Sequence, residues 1–310
     1  MFKRLFGQSR KQNLRTYMEE KVGDYQFTMA DLADPANRTL IQAYCTSKCK
    51  VVNLLDDTGV AIVLGKYMTW VDLRDKALSP HLMLQGYWEM WITSALARLT
   101  KPGMLAIDIG ANLGYYTLLM ADAVGPSGSV ISFEPNPRLA NMARTSVGIN
   151  DFGSRVTVRE EAVGQISGGQ MTLAIPRANP QNALIMQSEV QKQGFKNVHG
   201  DHAQFVQVKS ITLDSLNLTN VGMVKIDAEG AEYNIWCGMQ STIDSNPSVQ
   251  ICMEFNASRD YPWEAFFLEM QGKFKQISHV DFDGRIKPLT LEMVKTERPN
   301  GDWMIYLARG

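Results

Sequence analysis

The stretch IDIGANLGYYTLL, residues 107–119, decides the fold of this chain. It begins as a buried apolar strand, turns through Gly110 and Gly114, and continues as a helix. A glycine-rich turn between a strand and a helix lets a ligand approach the backbone and meet the helix N-terminus. From residue 104 onward, strand patterns alternate with helical patterns. This alternation predicts an α/β fold with a doubly wound, mostly parallel sheet.

The composition excludes several classes of protein. The 310 residues carry a formal net charge of −1, whereas a nucleic-acid-binding protein normally has a basic surplus. No run of about 18 apolar residues is present, so no membrane span is predicted. The four cysteines are too sparse for a disulfide scaffold, and Cys45 and Cys49 lack a second pair at zinc-site spacing. We therefore expect a cytoplasmic protein that binds no nucleic acid.

The pattern divides the chain into two predicted domains. Residues 1–99 contain a basic tail, a small β-meander and a lead-in helix, and residues 100–310 form the main α/β domain. Residues 177–205 are an insertion without a clean period, which is typical of a lid, a substrate loop or a solvated excursion. The basic start, residues 1–15, predicts either a frayed tail or a peripheral contact with the inner face of the membrane.

Several stretches beside these motifs have simple patterns. Residues 79–99 keep a helical spacing of apolar side chains and predict one helix. Residues 155–163 predict a third strand of the sheet. Residues 274–289 and 302–310 predict two final strands that pair antiparallel.

A carboxylate twenty residues past the glycine turn indicates a nucleoside. Glu134 ends the second strand, where an acid accepts hydrogen bonds from the ribose hydroxyls. Asn112 stands where a dinucleotide site needs a glycine to approach pyrophosphate. Asp108 adds a negative charge, which repels phosphate and attracts an ammonium group. These residues favour S-adenosylmethionine over NAD as the cofactor.

Six motifs follow one another over residues 100–256: IDIGANLGYYTLL, SFEPNP, EEAVG, ITLDSL, VKIDAEGAE and ICMEFN. In this order they resemble the FkbM family of S-adenosylmethionine-dependent methyltransferases. The resemblance implies a Rossmann-like sheet of seven strands and methylation of a hydroxyl oxygen, often on a sugar or a glycosylated product. By position the resemblance also implies the residues of the cofactor site. The methionine end would contact Asp108, Gly110, Asn112 and Gly114. The ribose would be held by Glu134, and the adenine would be bordered by Glu161 and Ala162.

Three carboxylates follow the apolar strand in VKIDAEGAEYNIW, residues 224–236. Asp227 and Glu229 are the predicted catalytic residues. At this end of a methyltransferase sheet, a base can take the proton that a hydroxyl loses as it attacks carbon. Glu232 is equally typical of an acid that begins a helix.

Two alternatives to a carboxylate base stay open. A divalent metal, magnesium or manganese, shared by Asp227 and Glu254 would acidify the hydroxyl instead. His279 ends another predicted strand, where it is either a base or a structural histidine.

The predicted acceptor is a hydroxyl of a saccharide or glycolipid. Amino-directed nucleic-acid methyltransferases usually have two prolines and an aromatic residue after the catalytic Asp or Asn, and residues 227–230 lack this clamp. Four aromatic residues form either a stacking wall for a sugar or part of the core: Tyr87, Trp88, Tyr115 and Tyr116. The rival interpretations are an NAD-dependent sugar oxidoreductase and a non-catalytic nucleoside-binding component of a carbohydrate assembly complex.

Overall fold

A computed structural model describes residues 27–176, 179–180, 182–186, 188–200 and 203–309. Residues 1–15, for which we predicted a lipid contact, lie outside these ranges. No helix within the described ranges is both long and apolar enough to cross a membrane. The predicted domain boundary at residue 99 stays a prediction.

Residues 27–99 precede the main sheet with four helices and a three-stranded antiparallel sheet. The elements are α1 (Met29–Ala33), α2 (Arg38–Lys48), β1 (Val51–Asn53), β2 (Thr58–Val63), β3 (Tyr67–Asp72), α3 (Leu78–Gln85) and α4 (Met90–Leu99). Strand β3 is joined to the main domain by hydrogen bonds from the Met68 and Trp70 amides to Asn150 and Ser146. These bonds fix the small sheet beside the larger one.

The prediction of one helix over residues 79–99 is wrong. The chain leaves the helical conformation at Gly86, with φ of 74°, and α4 begins only after Glu89, with φ of 31°. Gly86 ends α3 in the left-handed conformation that glycine adopts without a steric penalty. The break turns Trp88 and Glu89 toward the carboxyl edge of the main sheet.

The remaining elements alternate between strands and helices. The strands are β4 (Leu105–Ile109), β5 (Ser129–Phe133), β6 (Val156–Arg159), β7 (Glu161–Val163), β8 (Gln170–Ile175), β9 (Leu184–Met186), β10 (Gln204–Ile211), β11 (Val221–Ile226), β12 (Gln250–Phe255), β13 (Ile277–Val280), β14 (Ile286–Pro288) and β15 (Trp303–Ala308). The helices are α5 (Tyr115–Ala123), α6 (Pro137–Ile149), α7 (Glu189–His199), α8 (Glu232–Cys237), α9 (Gln240–Ser245), α10 (Trp263–Phe274) and α11 (Leu291–Thr296).

The main sheet confirms the predicted α/β fold. Its strand order is β14-β13-β15-β12-β11-β4-β5-β6. The five strands from β12 to β6 are mutually parallel, and β15, β13 and β14 each pair antiparallel with their neighbours, so that β13 runs in the same direction as β12. Apolar side chains form one core under α4, α5 and α6 and a second core under α8, α9 and α10. The carboxyl ends of the parallel strands meet at one edge, where ligands bind in open α/β sheets.

The sheet has eight strands in the described ranges instead of the implied seven. The extra strand arises because residues 274–289, predicted as one strand, form the hairpin of β13 and β14. A turn reverses the chain here, and the Gly284 amide donates to the Asp281 carbonyl over 2.7 Å. Gly284 has φ of 79°, a left-handed conformation that suits glycine.

Residues 155–163 are also two strands instead of one. Strand β6 pairs with β5 in the main sheet, whereas β7 leaves it after Glu160 and pairs with β10. Strands β7, β10, β8 and β9 form a second, four-stranded sheet. This second sheet and α7 carry the described part of the insertion to the carboxyl edge of the main sheet.

Candidate active site

The glycine turn after β4 forms the floor of the site. A Cβ atom on Gly110 would lie 1.8 Å from the Asp227 carbonyl oxygen, so only glycine fits where β4 and β11 end together. The Asp227 amide donates to the Ile109 carbonyl over 3.1 Å and holds the two strand ends in register. Asn112 has φ of 53° and its side chain accepts from the Leu113 amide. The turn thus presents backbone, with few side-chain atoms, to the space above it.

Glu134 lies at the end of β5, where the sequence predicts a ribose-binding acid. Its two carboxylate oxygens accept from the Asn112 and Asn136 amides, each over 2.8 Å. The residue is only 6% exposed, and burial raises the pKa of Glu134 to about 7 although both amides oppose the shift. A buried carboxylate fixed by the neighbouring turn is an acceptor already oriented for the two hydroxyls of a ribose.

Lys225, a residue that the sequence analysis did not select, joins two of the predicted acids. Its Nζ lies 3.4 Å from Asp108 Oδ1 and 3.5 Å from Asp227 Oδ2. It also donates to the Gly110 carbonyl over 3.2 Å and lies 5.1 Å from the centre of the Tyr116 ring. Burial lowers the pKa of Lys225, but Asp108 and then Asp227 raise it by more, so the ammonium stays charged.

Asp108, predicted to hold the methionine end of the cofactor, is buried in this structure, and that role stays a prediction. It has no exposed surface, and its other oxygen accepts from the Thr117 hydroxyl over 2.7 Å. Because Asp108 is buried behind Lys225, its charge acts on the site through that lysine. Asp227 differs, since 28% of its side chain is exposed at the strand end.

A second cation, Arg259, lies on the other side of Asp227. Its guanidinium contacts Glu254, and it lies 3.7 Å from Glu232 and 4.0 Å from Glu229. Asp302 adds a fourth carboxylate at 3.9 Å. We call these five residues the Arg259 cluster.

The three glutamates of the Arg259 cluster, Glu229, Glu232 and Glu254, hold protons more readily than isolated acids, because their pKa values are raised. Burial and then the charge of Asp227 raise the pKa of Glu229 to about 7, although Arg259 opposes the shift. The same two causes raise the pKa of Glu254. Four carboxylates share one guanidinium, so the cluster is short of positive charge.

Glu232 is part of this cluster but supports the loop. Its Oε1 accepts from the amides of Ala228 and Gly230 over 3.0 and 3.1 Å. Burial raises the pKa of Glu232, and the residue has no exposed surface. Glu232 thus holds the backbone that carries Asp227 and Glu229, as an acid at a helix start does.

Glu89, in the break between α3 and α4, is a further acid that the sequence analysis missed. It accepts from the Tyr116 hydroxyl over 3.2 Å. Burial and then the charge of Asp227 raise the pKa of Glu89 to about 7. The sequence contains one signal that could have found Glu89. Gly86 stands inside the helical pattern, and a glycine at such a position marks the C-terminus of a helix.

These residues surround a cavity of about 220 Å³ at the carboxyl edge. Apolar side chains of Phe133, Leu173 and Ile185 line one end, next to Glu161 and Ala162. The carboxylates on its wall are Glu89, Glu134, Glu161, Asp227, Glu229 and Glu254. Lys225 is the one basic residue among the described residues of the wall. Six carboxyl groups against one lysine make the cavity acidic, so it favours a cation over phosphate. Because the pKa of Glu89, Glu134 and Glu229 is raised to about 7 and that of Glu254 is raised further, part of the negative charge develops only as the pH rises through about 7.

The structure brings most of the predicted site residues to this cavity. Gly110, Asn112, Glu134, Glu161 and Ala162 line it, as do the catalytic candidates Asp227 and Glu229 and the alternative metal ligand Glu254. Asp108 and Gly114 lie behind the wall; a Cβ atom on Gly114 would be 3.1 Å from Ala143 Cβ on α6. Trp88, Tyr115 and Tyr116 line the cavity as well, but Tyr115 and Tyr116 are buried.

The alternatives to a carboxylate base find less support in the geometry. His279 is 4% exposed and packs edge-on against Trp303, with ring centres 4.9 Å apart, so it is a core residue. No cluster of three or more metal-binding side chains occurs within the described ranges. Glu254 is engaged by Arg259, and all four cysteines are free thiols.

The sheet order and this acidic, nucleoside-sized cavity define an α/β protein of the Rossmann-like methyltransferase class. The methyltransferase FkbM domain matches residues 108–281, which is more than half of the chain. The chain belongs to the FkbM methyltransferase domain family, as its motifs predict.

Two curated relatives match shorter parts of the chain, and a solved structure matches about two thirds of it. A protein-L-isoaspartate O-methyltransferase of Hyperthermus butylicus is 38% identical over 65 residues, which cover 19% of this chain and 27% of that enzyme. Its counterpart in Methanothrix thermoacetophila is 43% identical over 47 residues, 15% of this chain and 22% of that enzyme. The solved FkbM methyltransferase of Methylobacillus flagellatus has a TM-score of 0.41 at 14% identity, covering 66% of this chain and 43% of that one. The chain thus spans about a quarter of the curated relatives' length.

Proposed function

We propose that this protein transfers a methyl group from S-adenosylmethionine to a hydroxyl oxygen of a saccharide or glycosylated product. The observation that carries the proposal is the surplus of carboxylates around Glu134. S-adenosylmethionine has a ribose, an adenine, an ammonium and a sulfonium, but no phosphate. Glu134 matches the ribose of this ligand, and the negative wall of the cavity matches its positively charged ammonium and sulfonium groups.

Three features of the cavity fit the cofactor. The turn at Gly110 lines the cavity with backbone, so a ligand meets no side chain at that position. Glu134 accepts from two amides and faces the cavity, where ribose hydroxyls would donate to it. Phe133, Ala162 and Ile185 form an apolar wall for an adenine ring.

Asp227 is the residue that we assign to proton transfer. When bound, S-adenosylmethionine supplies an electrophilic methyl carbon on a positively charged sulfur. Asp227 accepts the hydroxyl proton as the new carbon–oxygen bond replaces the carbon–sulfur bond. Its partly exposed side chain lies at the end of β11, and Lys225 Nζ fixes its position from below. A positioned base of this kind accelerates such a step by roughly 10²–10⁴-fold.

The oxygen and saccharide specificities are supported by the motif after β11, by Trp88 and by the family resemblance. Residues 227–230, Asp-Ala-Glu-Gly, lack the proline clamp of amino-directed nucleic-acid enzymes. Trp88 lines the cavity and is partly exposed, so it offers a face for a sugar ring. The family resemblance supports a sugar hydroxyl as the acceptor.

The rival NAD-dependent oxidoreductase is disfavoured by charge. A pyrophosphate in the cavity would face six carboxylates and one lysine. Asn112 also stands in the turn where the backbone of a dinucleotide site approaches phosphate.

Incubation of the protein with methyl-labelled S-adenosylmethionine and cell fractions tests the proposal. The fractions are glycolipid, soluble polysaccharide, RNA and protein. We expect label in carbohydrate that survives base treatment, because methyl ethers are stable where methyl esters are not. Label in RNA or protein, with none in carbohydrate, would refute the saccharide proposal. Carbohydrate labelling that is unchanged on deletion of residues 1–15 would refute a role for a membrane contact through those residues.

A further inference from the structure

A second, larger cavity adjoins the first one. Its volume is about 580 Å³, within the range of roughly 300–1,000 Å³ typical of small-molecule sites. The insertion forms its outer wall through β9 and α7, and β8 contributes Met171. Its apolar lining includes Met171, Leu184, Met186, Phe195 and Val198.

The two cavities meet at the candidate catalytic loop. Glu229 and Ala231 line both of them, as do Val163 and Ile185. Arg259 and Asp260 lie on the wall of the second cavity near this junction. A molecule in the second cavity can therefore place a polar end at Glu229 while its remainder contacts the apolar wall.

The apolar lining is unusual for a site that holds only a sugar. A saccharide is surrounded by hydroxyl groups, and burying these against methionine, leucine and phenylalanine side chains without partners is unfavourable. The same side chains would bind an alkyl or other hydrocarbon group well. The charged residues of the lining, Glu229, Arg259 and Asp260, lie at the junction, and the other polar side chains are Asn234 and, on α7, Gln191 and His199.

We propose that the second cavity is an acceptor site for an amphipathic substrate, with its hydroxyl end at Glu229 and a hydrocarbon group between β9 and α7. This inference rests on the proposed function and narrows its substrate class, since a free, fully polar sugar would leave the apolar wall unused. Methyl transfer requires the acceptor hydroxyl beside the first cavity, and the shared wall at Glu229 provides this continuity.

Helix α7 offers a matched pair of variants for the test. Val198 lines the second cavity and is 77% exposed, whereas Val190 does not line it and is 81% exposed. Both are on the same helix, so an aspartate at either position changes the net charge equally. Because an aspartate favours the helix dipole at Val190, in the first turn, and opposes it at Val198, in the last turn, circular dichroism of both variants checks that α7 stays folded. Because both side chains are so exposed in the ligand-free protein, neither substitution removes a core contact.

The experiment measures calorimetric binding of butyl, hexyl and octyl β-glucoside below their micelle concentrations, without cofactor. For the wild type we expect the affinity to rise at least about tenfold from butyl to octyl glucoside, because each buried methylene adds to binding. Val198→Asp should weaken octyl glucoside binding at least about fivefold, since it places a charge in the apolar wall. Val190→Asp should change it less than about twofold.

Equal affinity for the three glucosides would overturn the inference. Equal losses in Val190→Asp and Val198→Asp would overturn it as well, because they would mean adsorption to the helix surface. A separate measurement of S-adenosylmethionine binding distinguishes failure of the proposed methyl transfer from failure of the amphipathic acceptor site. Chain-length-dependent glucoside binding without cofactor binding would contradict the proposed methyl transfer and leave the amphipathic site in place.

Discussion

A buried cation and a partly exposed one lie at the carboxyl edge of the sheet, and the charges around them differ. Lys225, 2% exposed in its side chain, lies between two carboxylates, Asp108 and Asp227. Arg259, 20% exposed, lies among the four carboxylates of its cluster. On the Lys225 side the charges nearly balance, whereas on the Arg259 side negative charge is in clear excess.

This difference separates a fixed charge network from one that can exchange protons. Around Lys225, removal of the lysine leaves the charge of Asp108 in a dry interior, so this pairing is fixed. Around Arg259, the raised pKa of Glu229 and Glu254 lets these acids take up protons when positive charge is missing. Asp227 lies between the two regions, and a cation bound in the first cavity would complete the charge balance on both sides.

The largest expected effect is on stability and is confined to the Lys225 side. Lys225→Met should reduce the free energy of unfolding by about 3–5 kcal/mol, because Asp108 would stay buried without its cation. Arg259→Met should cause a smaller loss, since the acids it leaves can protonate. Urea denaturation at pH 7 measures both, with the exposed Lys101→Met as the control. An equal or larger loss for Arg259→Met would contradict the distinction between the two regions.

The next effect concerns turnover and separates Asp227 from the Arg259 cluster. Asp227→Asn should lower the rate of methyl transfer at least about a hundredfold, since an amide cannot accept the proton. The affinity for S-adenosylmethionine should change by no more than a few fold. Glu254→Gln is the matched change in the cluster and should lower the rate by less than about tenfold. A larger loss of rate in Glu254→Gln than in Asp227→Asn would contradict the assignment of Asp227 as the base and favour Glu254.

A pH series gives an effect of intermediate size. Glu134 has a pKa of about 7, above its ordinary value of 4.5. A group shifted upward stabilises the folded protein below about pH 4.5, and this contribution is lost as the pH rises through about 7. The affinity for a cationic ligand changes in the opposite direction, since the carboxylate must be ionised to attract it.

We therefore expect the affinity for S-adenosylmethionine to rise about tenfold between pH 6 and pH 8. Adenosine, which has the ribose but no positive charge, is the control and should show a weaker dependence. Calorimetry in buffers of equal ionic strength makes the comparison. A pH-independent affinity for S-adenosylmethionine would show that the raised carboxylates do not contribute to its binding.

The smallest expected effect is that of a chelator. Arg259 already engages Glu254, so we expect turnover to be unchanged in EDTA. Loss of activity in EDTA and its return with magnesium or manganese would support the alternative in which Asp227 and Glu254 share a metal. In that case Arg259 would have to release Glu254 when the metal binds.

The sequence predicts the cofactor side of this edge better than the other side. Gly110, Asn112 and Glu134 are near the ends of β4 and β5, and their positions follow from local strand and turn patterns. Lys225 was overlooked, although a lysine inside the buried strand β11 requires a partner with negative charge. Its neighbours Asp108 and Asp227 were predicted to act on ligands, not on Lys225. Their pairing with Lys225 depends on the register of β4 and β11, which local patterns do not give.

Arg259 could not be selected from local patterns, whereas Glu89 had a local signal in Gly86, the glycine at which α3 ends. Arg259 follows β12 in a turn held by the Asn256 side chain, and its partners come from separate segments of the chain. Glu89 reaches the cavity only because the chain breaks between α3 and α4. The eighth strand was missed for a similar reason, since the hairpin at Asp281–Gly284 divides one apolar pattern. Tertiary packing decides which carboxylates surround Arg259, whereas glycines in the left-handed conformation, Gly86 and Gly284, mark the helix break and the hairpin.

The central claim is that the negative cavity beside Glu134 binds S-adenosylmethionine, and calorimetry of the wild type and Glu134→Ala tests it most directly. We predict binding of S-adenosylmethionine to the wild type and no measurable binding of NAD. Glu134→Ala should weaken the affinity by about 1.5–3 kcal/mol, because hydrogen bonds to a charged acceptor are lost. Equal affinity of both proteins for S-adenosylmethionine, or tighter binding of NAD, would contradict the account.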